Sequence, residues 1–466
     1  MSVKRENRVL DMTRENLLKC LLQFAIPVFL ANLLQQLYNV ADTSLAGNIL
    51  GDTALAQIGA TSSLYNLVIE FAFGLNSGFT LIVSRYFGAN DSKGVRGSSG
   101  WMILLSIVLS LILAAGLLIF RRPILDFLKV PDAVYEGALE YITIIFVGIP
   151  LTMLYNMESA LLRSVGNSVT PLYFLLFSSA LNILLDVLFM GPFGFGVQGA
   201  AAATILSQAV SAFIGLFYMF ANYPQFRFTL SDLKENANGV PEMMRTGMSM
   251  AMMNTIYSIG SVIMQSAVNA LGSIYIAGQV GGRKLSELFM APGGAIAASV
   301  ATFTSQNFGA YQRERIKKGC IAGIILYLCW WVIAMVFLFT LAPLAIKMIT
   351  GSSDDQILSS AILYLRFSIS SLPPLAVLVV IRNTLQGVKH TLSPLIASSI
   401  ELGLKVIFAF YLVPTYGYIA ACACEPTTWV VCALYVALSM VYFREEFKDD
   451  YEQKIRSKCK SVSENV

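Results

Sequence analysis

Two aspartates fall inside long apolar stretches, where a charge is expensive. Asp42 lies toward the end of an apolar run that begins near residue 17, and Asp186 lies in another between 168 and 190. Asn182 precedes Asp186 by four residues, so a helix puts the amide and the carboxylate on one face. Thr204 stands in the next apolar run and Asn156 closes the preceding one. A charged side chain at a membrane helix centre costs about 2.5–3.5 kcal/mol on insertion scales, and such residues tend to mark ion or proton pathways. Carboxylate, amide and hydroxyl oxygens are hard ligands suited to Na+. A carboxylate held out of water is also relieved by a proton. The competing reading is a fixed hydrogen-bond cluster joining helices.

A second polar group is expected further along. Glu401 and Lys405 sit four apart on one helical face, and Glu425 is followed by Pro426. A fixed ion pair beside a protonatable Glu425, part of a substrate cavity, and an ion pair that only locks two helices are all open readings. Glu70, and Lys284 with Glu287, are similar cases. Met243, Met244, Met248, Met250, Met252, Met253 and Met264 crowd one segment, near Tyr257 and Tyr275. Thioethers adapt to varied ligand shapes, and they also fill gaps in ordinary packing. His390 is the only histidine, and the seven cysteines form no C-x-x-C pair. Nothing resembles a P-loop, a dinucleotide fingerprint, G-x-S-x-G or H-E-x-x-H. An enzyme is therefore not expected, nor a bound cofactor.

The elements that position these residues are membrane helices. Of 466 residues, 56% are hydrophobic and 13% charged, against roughly 25% charged in an average soluble domain. Trp101 to Phe120 and Cys320 to Ile346 carry no charge at all. A run of about 20 apolar residues matches the hydrocarbon core at 1.5 Å per helical residue, and there the backbone must satisfy itself. Twelve spans are predicted, near 17–39, 54–80, 98–120, 135–157, 168–190, 197–220, 245–270, 273–303, 319–341, 357–380, 392–413 and 417–442.

The N-terminal segment, even-numbered loops and C-terminal tail hold 22 of the 32 Lys and Arg residues, whereas the odd-numbered loops hold only Arg121, Arg122, Lys129 and Lys347. Basic loops face the cytoplasm, so both termini are expected there, in a plasma (inner) membrane. The net charge of +4 reflects this asymmetry and suggests lipid headgroups, not nucleic acid. The first apolar segment is full length, so an uncleaved insertion signal is expected.

An internal repeat organises the chain. A shift of 221 residues carries Ser84–Phe87–Gly88–Ala89 onto Ser305–Phe308–Gly309–Ala310, Leu50–Gly51 onto Leu271–Gly272, Gly166 onto Gly387 and Gly196 onto Gly417. Tyr141 and Pro150 match Tyr364 and Pro373 with a two-residue slip. Six helices per half is an even number, so the halves are parallel, with a pseudo-two-fold axis along the membrane normal. The expected fold is an all-α integral membrane protein of twelve helices in two parallel six-helix bundles. The lobes are expected at 15–221 and 243–443, joined by a linker at 222–242 and followed by a tail at 444–466. Repeats of this kind place a substrate site near the midplane and alternate its access.

The chain resembles multidrug and toxic compound extrusion (MATE) transporters of the DinF-like branch. The resemblance runs from about residue 15 to residue 443. Its carriers are Phe24–Ala25–Ile26–Pro27, Leu37–Tyr38–Asn39 with Asp42, Ser84–Arg85–Tyr86–Phe87–Gly88–Ala89, Leu162–Arg163–Ser164–Val165–Gly166 and Asn182–Ile183–Leu184–Leu185–Asp186. It implies cation or proton coupling at Asp42, Asn156, Asn182, Asp186 and Thr204, with Na+ or H+ held at Asp42 and Asp186. It also implies a first helix that bends at Pro27 when the acids take their cation; a static kink is the alternative.

No aspartate occurs in the predicted spans of the second half, where another branch keeps one. Glu70, Tyr38, Met253, Tyr257, Lys284 and Glu287 are candidates for the substrate cavity. The expected function is export of amphipathic, often cationic, organic compounds in exchange for Na+ or H+, by a monomer. A lipid-linked saccharide flippase of the same superfamily would need a strongly basic cavity, and intramembrane bases are few (Arg283, Lys284, Arg366, Lys405). A receptor would need longer outer loops than this chain has.

Overall fold

The computed structural model describes residues 9–351 and 354–447, all of whose regular elements are helical. Most of the predicted tail at 444–466, with Cys459, lies outside the described residues. The first half consists of α1 (Leu17–Leu50), α2 (Asp52–Gly88), α3 (Ser92–Phe127), α4 (Asp132–Ser164), α5 (Val169–Met190) and α6 (Gly196–Asn222). The short α7 (Leu230–Glu235) follows. Then come α8 (Val240–Asn269), α9 (Ser273–Gly309), α10 (Arg313–Thr340), α11 (Ala342–Thr350), α12 (Asp355–Ser370), α13 (Leu372–Gly387), α14 (Leu392–Ile407), α15 (Val413–Tyr416) and α16 (Tyr418–Tyr442).

Ten segments are long and apolar enough to cross a membrane, with α14 and α15 counted as one. The pair α12 and α13, bent by 48° at their junction, makes an eleventh. The methionine-rich α8, 30 residues long, is the twelfth long helix and the least apolar. The chain is thus a multi-pass membrane protein. Several helices outrun their predicted spans because their end turns are polar and extend beyond the apolar stretch.

The break between α12 and α13 follows from Pro373 and Pro374, which supply no backbone N–H. Prolines are tolerated in the first turn of a helix, where those N–H groups have no partner, and α13 starts there. The single Pro150 leaves α4 continuous, and α1 likewise runs unbroken through Pro27.

Two compact units share the chain. Leu30–Phe87 and Asp91–Ala251 belong to the first, and Asp11–Phe29, Gly88–Asn90 and the chain from Met252 onward to the second. Pro27 thus sits two residues before α1 passes from one unit to the other. Within the first unit Leu75, Phe79, Met102, Leu161 and Phe226 form one buried core, and Ile142, Phe146, Ile149 and Ala201 another. In the second, Val268, Val413 and Cys424 anchor a third.

The repeat is written in backbone conformation. Left-handed residues recur in pairs: Gly51 and Gly272, Asn90 and Tyr311, Lys129 and Gly351, Gly166 and Lys389, Gly196 and Gly417. Two of these pairs have a common cause. The N–H of Asp91 reaches back to the Tyr86 carbonyl at 3.1 Å, and that of Gln312 to Asn307 at 2.9 Å. The same bond joins Asn167 to Leu162 at 3.1 Å and His390 to Leu385 at 2.9 Å. This is the Schellman ending of a helix, in which a left-handed residue lets the chain satisfy its last carbonyls. The Ser–x–x–Phe–Gly–Ala motifs are therefore helix caps. The partner of Gly166 is Lys389, not Gly387 as residue matching gives. Gly387 is still helical, and a side chain there would press on Thr304.

Candidate functional site

Three helices of the first unit each present an i, i+4 pair to one place. α1 supplies Tyr38 and Asp42, α5 supplies Asn182 and Asp186, and α6 supplies Thr204 and Gln208. At 3.6 residues per turn, such pairs stack on one face.

The Asp42 and Asp186 carboxyl groups stand within hydrogen-bond reach of each other. Asp186 is fully buried, and Asn182 and Thr204 nearly so. Oriented to satisfy its neighbours, the Asn182 amide donates to Asp186 Oδ2 at 2.7 Å and to the Tyr38 hydroxyl at 3.2 Å, and accepts from the Thr204 N–H at 3.1 Å. Tyr38 also hydrogen-bonds with the Thr204 side chain. Around this core, Tyr65 of α2 hydrogen-bonds with Gln208, and both Tyr65 and Tyr141 of α4 lie close enough to interact with the Asp42 charge. Thr152 Oγ1 donates to Gln208 Oε1 at 2.6 Å.

One oxygen on each aspartate, Oδ1 of Asp42 and Oδ1 of Asp186, is buried and has no hydrogen-bond partner. Two carboxylates this close cannot both stay charged without a counter-charge. The arrangement can hold one small monovalent cation, or a proton shared between the acids.

The structure brings Asp42, Asn182, Asp186 and Thr204 together with Tyr38. For Asn156 the hydrogen bond seen is within its own helix, its Nδ2 donating to the Thr152 carbonyl at 2.9 Å. Tyr65, Tyr141 and Gln208 join the site although the sequence did not mark them as site residues, Tyr141 standing out only as a landmark of the repeat. Only the position of Gln208, one turn beyond Thr204, could have signalled it. Glu70, Lys284 and Glu287 are exposed. Met253 is buried, its sulfur accepting from Gln386 Nε2 at 3.1 Å. Among the described residues, no three His, Cys, Asp or Glu side chains gather as a metal cluster would require.

In the second unit, Glu401 Oε1 and Lys405 Nζ lie 2.9 Å apart, with side chains 7% and 1% exposed. Lys405 Nζ also stands 4.4 Å from the centre of the Tyr257 ring, a cation–π contact. Glu425 hydrogen-bonds with Tyr364 and interacts with the charges of Lys405, Glu401 and Arg283.

Comparison with known proteins agrees with this architecture. The MatE family model matches residues 27–188 and 249–411, one segment in each half. The chain is 30% identical over 306 residues to the probable multidrug resistance protein YpnP of Bacillus subtilis, covering 66% of this chain and 68% of that protein. It is 27% identical over 397 residues to the probable multidrug resistance protein NorM of Thermotoga maritima, covering 82% and 83%. An outward-facing multidrug resistance MATE family transporter of the MOP superfamily superposes with a TM-score of 0.85 at 22% identity, covering 94% of this chain and 97% of that one. The same score is reached by a MATE crystal structure in the bent conformation, at 22% identity and 94% and 98% coverage. The chain belongs to the MatE family.

Proposed function

We propose that this MatE-family chain is a secondary active exporter of small amphipathic, often cationic, organic molecules. It exchanges them for Na+ or H+ taken up at the Asp42–Asp186 pair. The relatives named as multidrug resistance proteins support the cargo class. The observation that carries the coupling role is the buried pair of facing carboxyls, each with an unpartnered oxygen. Occupying the pair with a cation removes a repulsion between α1 and α5. Emptying it restores that repulsion, so the packing of α1 depends on the ion.

In this reading the six-helix lobes at 15–221 and 243–443 alternate access around the cargo, and the segment at 222–242 links them on the cytoplasmic side. The plasma membrane, with both termini in the cytoplasm, is the setting that the distribution of Lys and Arg supports. Pro27 adds a place where α1 can bend, because its ring leaves the Gln23 carbonyl without an intrahelical donor.

The test is efflux of a cationic dye from proteoliposomes under an imposed Na+ or H+ gradient. Wild-type protein should respond to one of them. Asp42→Asn, folded and inserted, should lose the gradient-driven component, and unchanged efflux from that variant would reject the coupling assignment.

A further inference from the structure

The two parts of α1 are packed differently. Asp11–Phe29, the chain leading into α1 together with its first turns, belongs to the second unit. Cys20, Leu21, Phe24 and Ala25 are buried there. From Phe29 to Leu45 no residue is buried. This second stretch belongs, from Leu30 onward, to the first unit, and it carries Tyr38 and Asp42. Pro27 lies at the change.

Side chains of α9 and α10 hold the firm end. Met12 is fully buried and donates its N–H to Gln306 Oε1 at 3.1 Å. Its carbonyl accepts from Asn307 Nδ2 at 3.2 Å and from Arg315 Nε and Nη2 at 3.2 and 3.1 Å. Arg315 Nη2 also donates to the Glu15 carbonyl, so one guanidinium fork bridges two carbonyls of the leading segment. Its plane is backed by the Phe303 ring. Further along, Ser299 Oγ donates to the Leu21 carbonyl at 3.0 Å. Gln306 and Asn307, both fully buried, are the two variable residues inside the second Ser–x–x–Phe–Gly–Ala motif, which thus grips α1 as well as capping α9.

The other half repeats the arrangement with the units exchanged. The 221-residue shift carries Met12 onto Leu233 of α7. The Leu233 carbonyl accepts from Trp101 Nε1 of α3 at 2.8 Å. α7 belongs to the first unit, although it leads into the first long helix of the second half. α8 then leaves the first unit after Ala251, the residue onto which the same shift carries Leu30, where α1 enters it. Docking of the leading segment is a property of the repeat.

A helix pushed at one end while the other is free swings as a whole. With its other end fixed, it bends between. We propose that Arg315, together with Gln306 and Asn307, is a positioning residue for coupling: it makes Met12–Glu15 the fixed base of α1, so that ion exchange at Asp42 displaces only the stretch beyond Pro27. The role in coupling rests on the export reading; the fixed base does not.

The experiment uses the full chain in liposomes. Bioorthogonal spin labels at Lys19 and Lys318, both exposed, report the base by pulsed distance measurement, and labels at Gln36 and Lys318 report the far stretch. With the coupling ion absent and then saturating, for Na+ and H+ in turn, the Lys19–Lys318 distance should stay constant and the Gln36–Lys318 distance should shift. In Arg315→Ala the first distance should become ion-dependent. The same variant should lose about tenfold in gradient-driven dye efflux, since several hydrogen bonds of about 1 kcal/mol each are removed, while downhill dye exchange stays near wild type. Arg315→Lys, still able to donate to both carbonyls, should recover most of the loss. A merely structural role would lower both components together. That equal loss, unchanged gradient-driven efflux in Arg315→Ala, a base distance that moves with the ion in wild type, or a Gln36–Lys318 distance that does not would each overturn the proposal. The distances are read without any gradient, so they decide on the fixed base even if wild-type efflux ignores both ions, the result that rejects the export reading.

Discussion

The carboxylate of Glu158, on α4, fills the space in which a side chain on Gly215 of α6 would sit. Glu158 is completely buried, and neither of its oxygens has a hydrogen-bond partner. It is an acid accommodated by a missing side chain and is not part of the aspartate site. An unsatisfied buried polar group costs roughly 1–3 kcal/mol. Glu158→Met should therefore raise the thermal unfolding temperature of the purified protein, and Gly215→Ala should lower it. A Glu158→Met protein that melts below wild type would show that the carboxyl is held by something that offsets its burial.

The two asparagines first grouped with the acids should behave differently. Asn182 spans Asp186, Tyr38 and Thr204, whereas Asn156 bonds its own helix. Asn182→Ala should reduce gradient-driven dye efflux by about tenfold or more, since several hydrogen bonds of about 1 kcal/mol each are lost. Asn156→Ala should stay within about twofold. Initial efflux rates in proteoliposomes decide it, and the reverse ranking would contradict the geometry.

Lys405 and Glu401 should stabilise the fold only as a pair. Removing one partner of a buried ion pair costs roughly 3–5 kcal/mol, whereas replacing both by apolar residues is often neutral. Lys405→Met alone should unfold well below wild type, and adding Glu401→Met should restore most of the loss. A double variant no more stable than the single would mean that the two side chains are not energetically coupled.

Outside the membrane-spanning helices, α7 is pinned by Asp232. The Thr229 hydroxyl and backbone N–H donate to its carboxylate at 2.7 and 2.8 Å, and Arg96 Nε lies 3.1 Å away. These contacts hold the Asp232 carboxyl below the usual aspartate range, the Thr229 hydroxyl contributing most. A group depressed in this way stabilises the docked state above its unfolded pKa, and the contribution fades as pH falls through the folded value. Docking of α7 should persist through pH 5 and weaken only under stronger acid. Hydrogen exchange at Leu233 and Lys234 reads this out, and Asp232→Asn should abolish the acid transition.

What the sequence made legible follows from which residues stand out against apolar neighbours. Asp42 and Asp186 did so because charge is rare at that depth, and Asn182 because it shares their helical period. Tyr65, Tyr141 and Gln208 did not, since a tyrosine or glutamine in a membrane helix has many ordinary packing uses. The twelve helices were visible as apolar runs, and their ends were not, because polar terminal turns look like loops. The tenth span was read as one segment, although Pro373 and Pro374 break it. The pairing of Gly166 with Gly387 failed because identity was matched where conformation was what recurred.

The left-handed caps carry one more implication. Asn90 and Gly166 suit that conformation, whereas their counterparts Tyr311 and Lys389 adopt it with bulky side chains, at a cost that glycine would avoid. Between the two halves, the bend in the main chain thus recurs where the residue that favours it does not. A comparison of the two halves keyed to the spacing of those bends should therefore align them more completely than one keyed to residue identity.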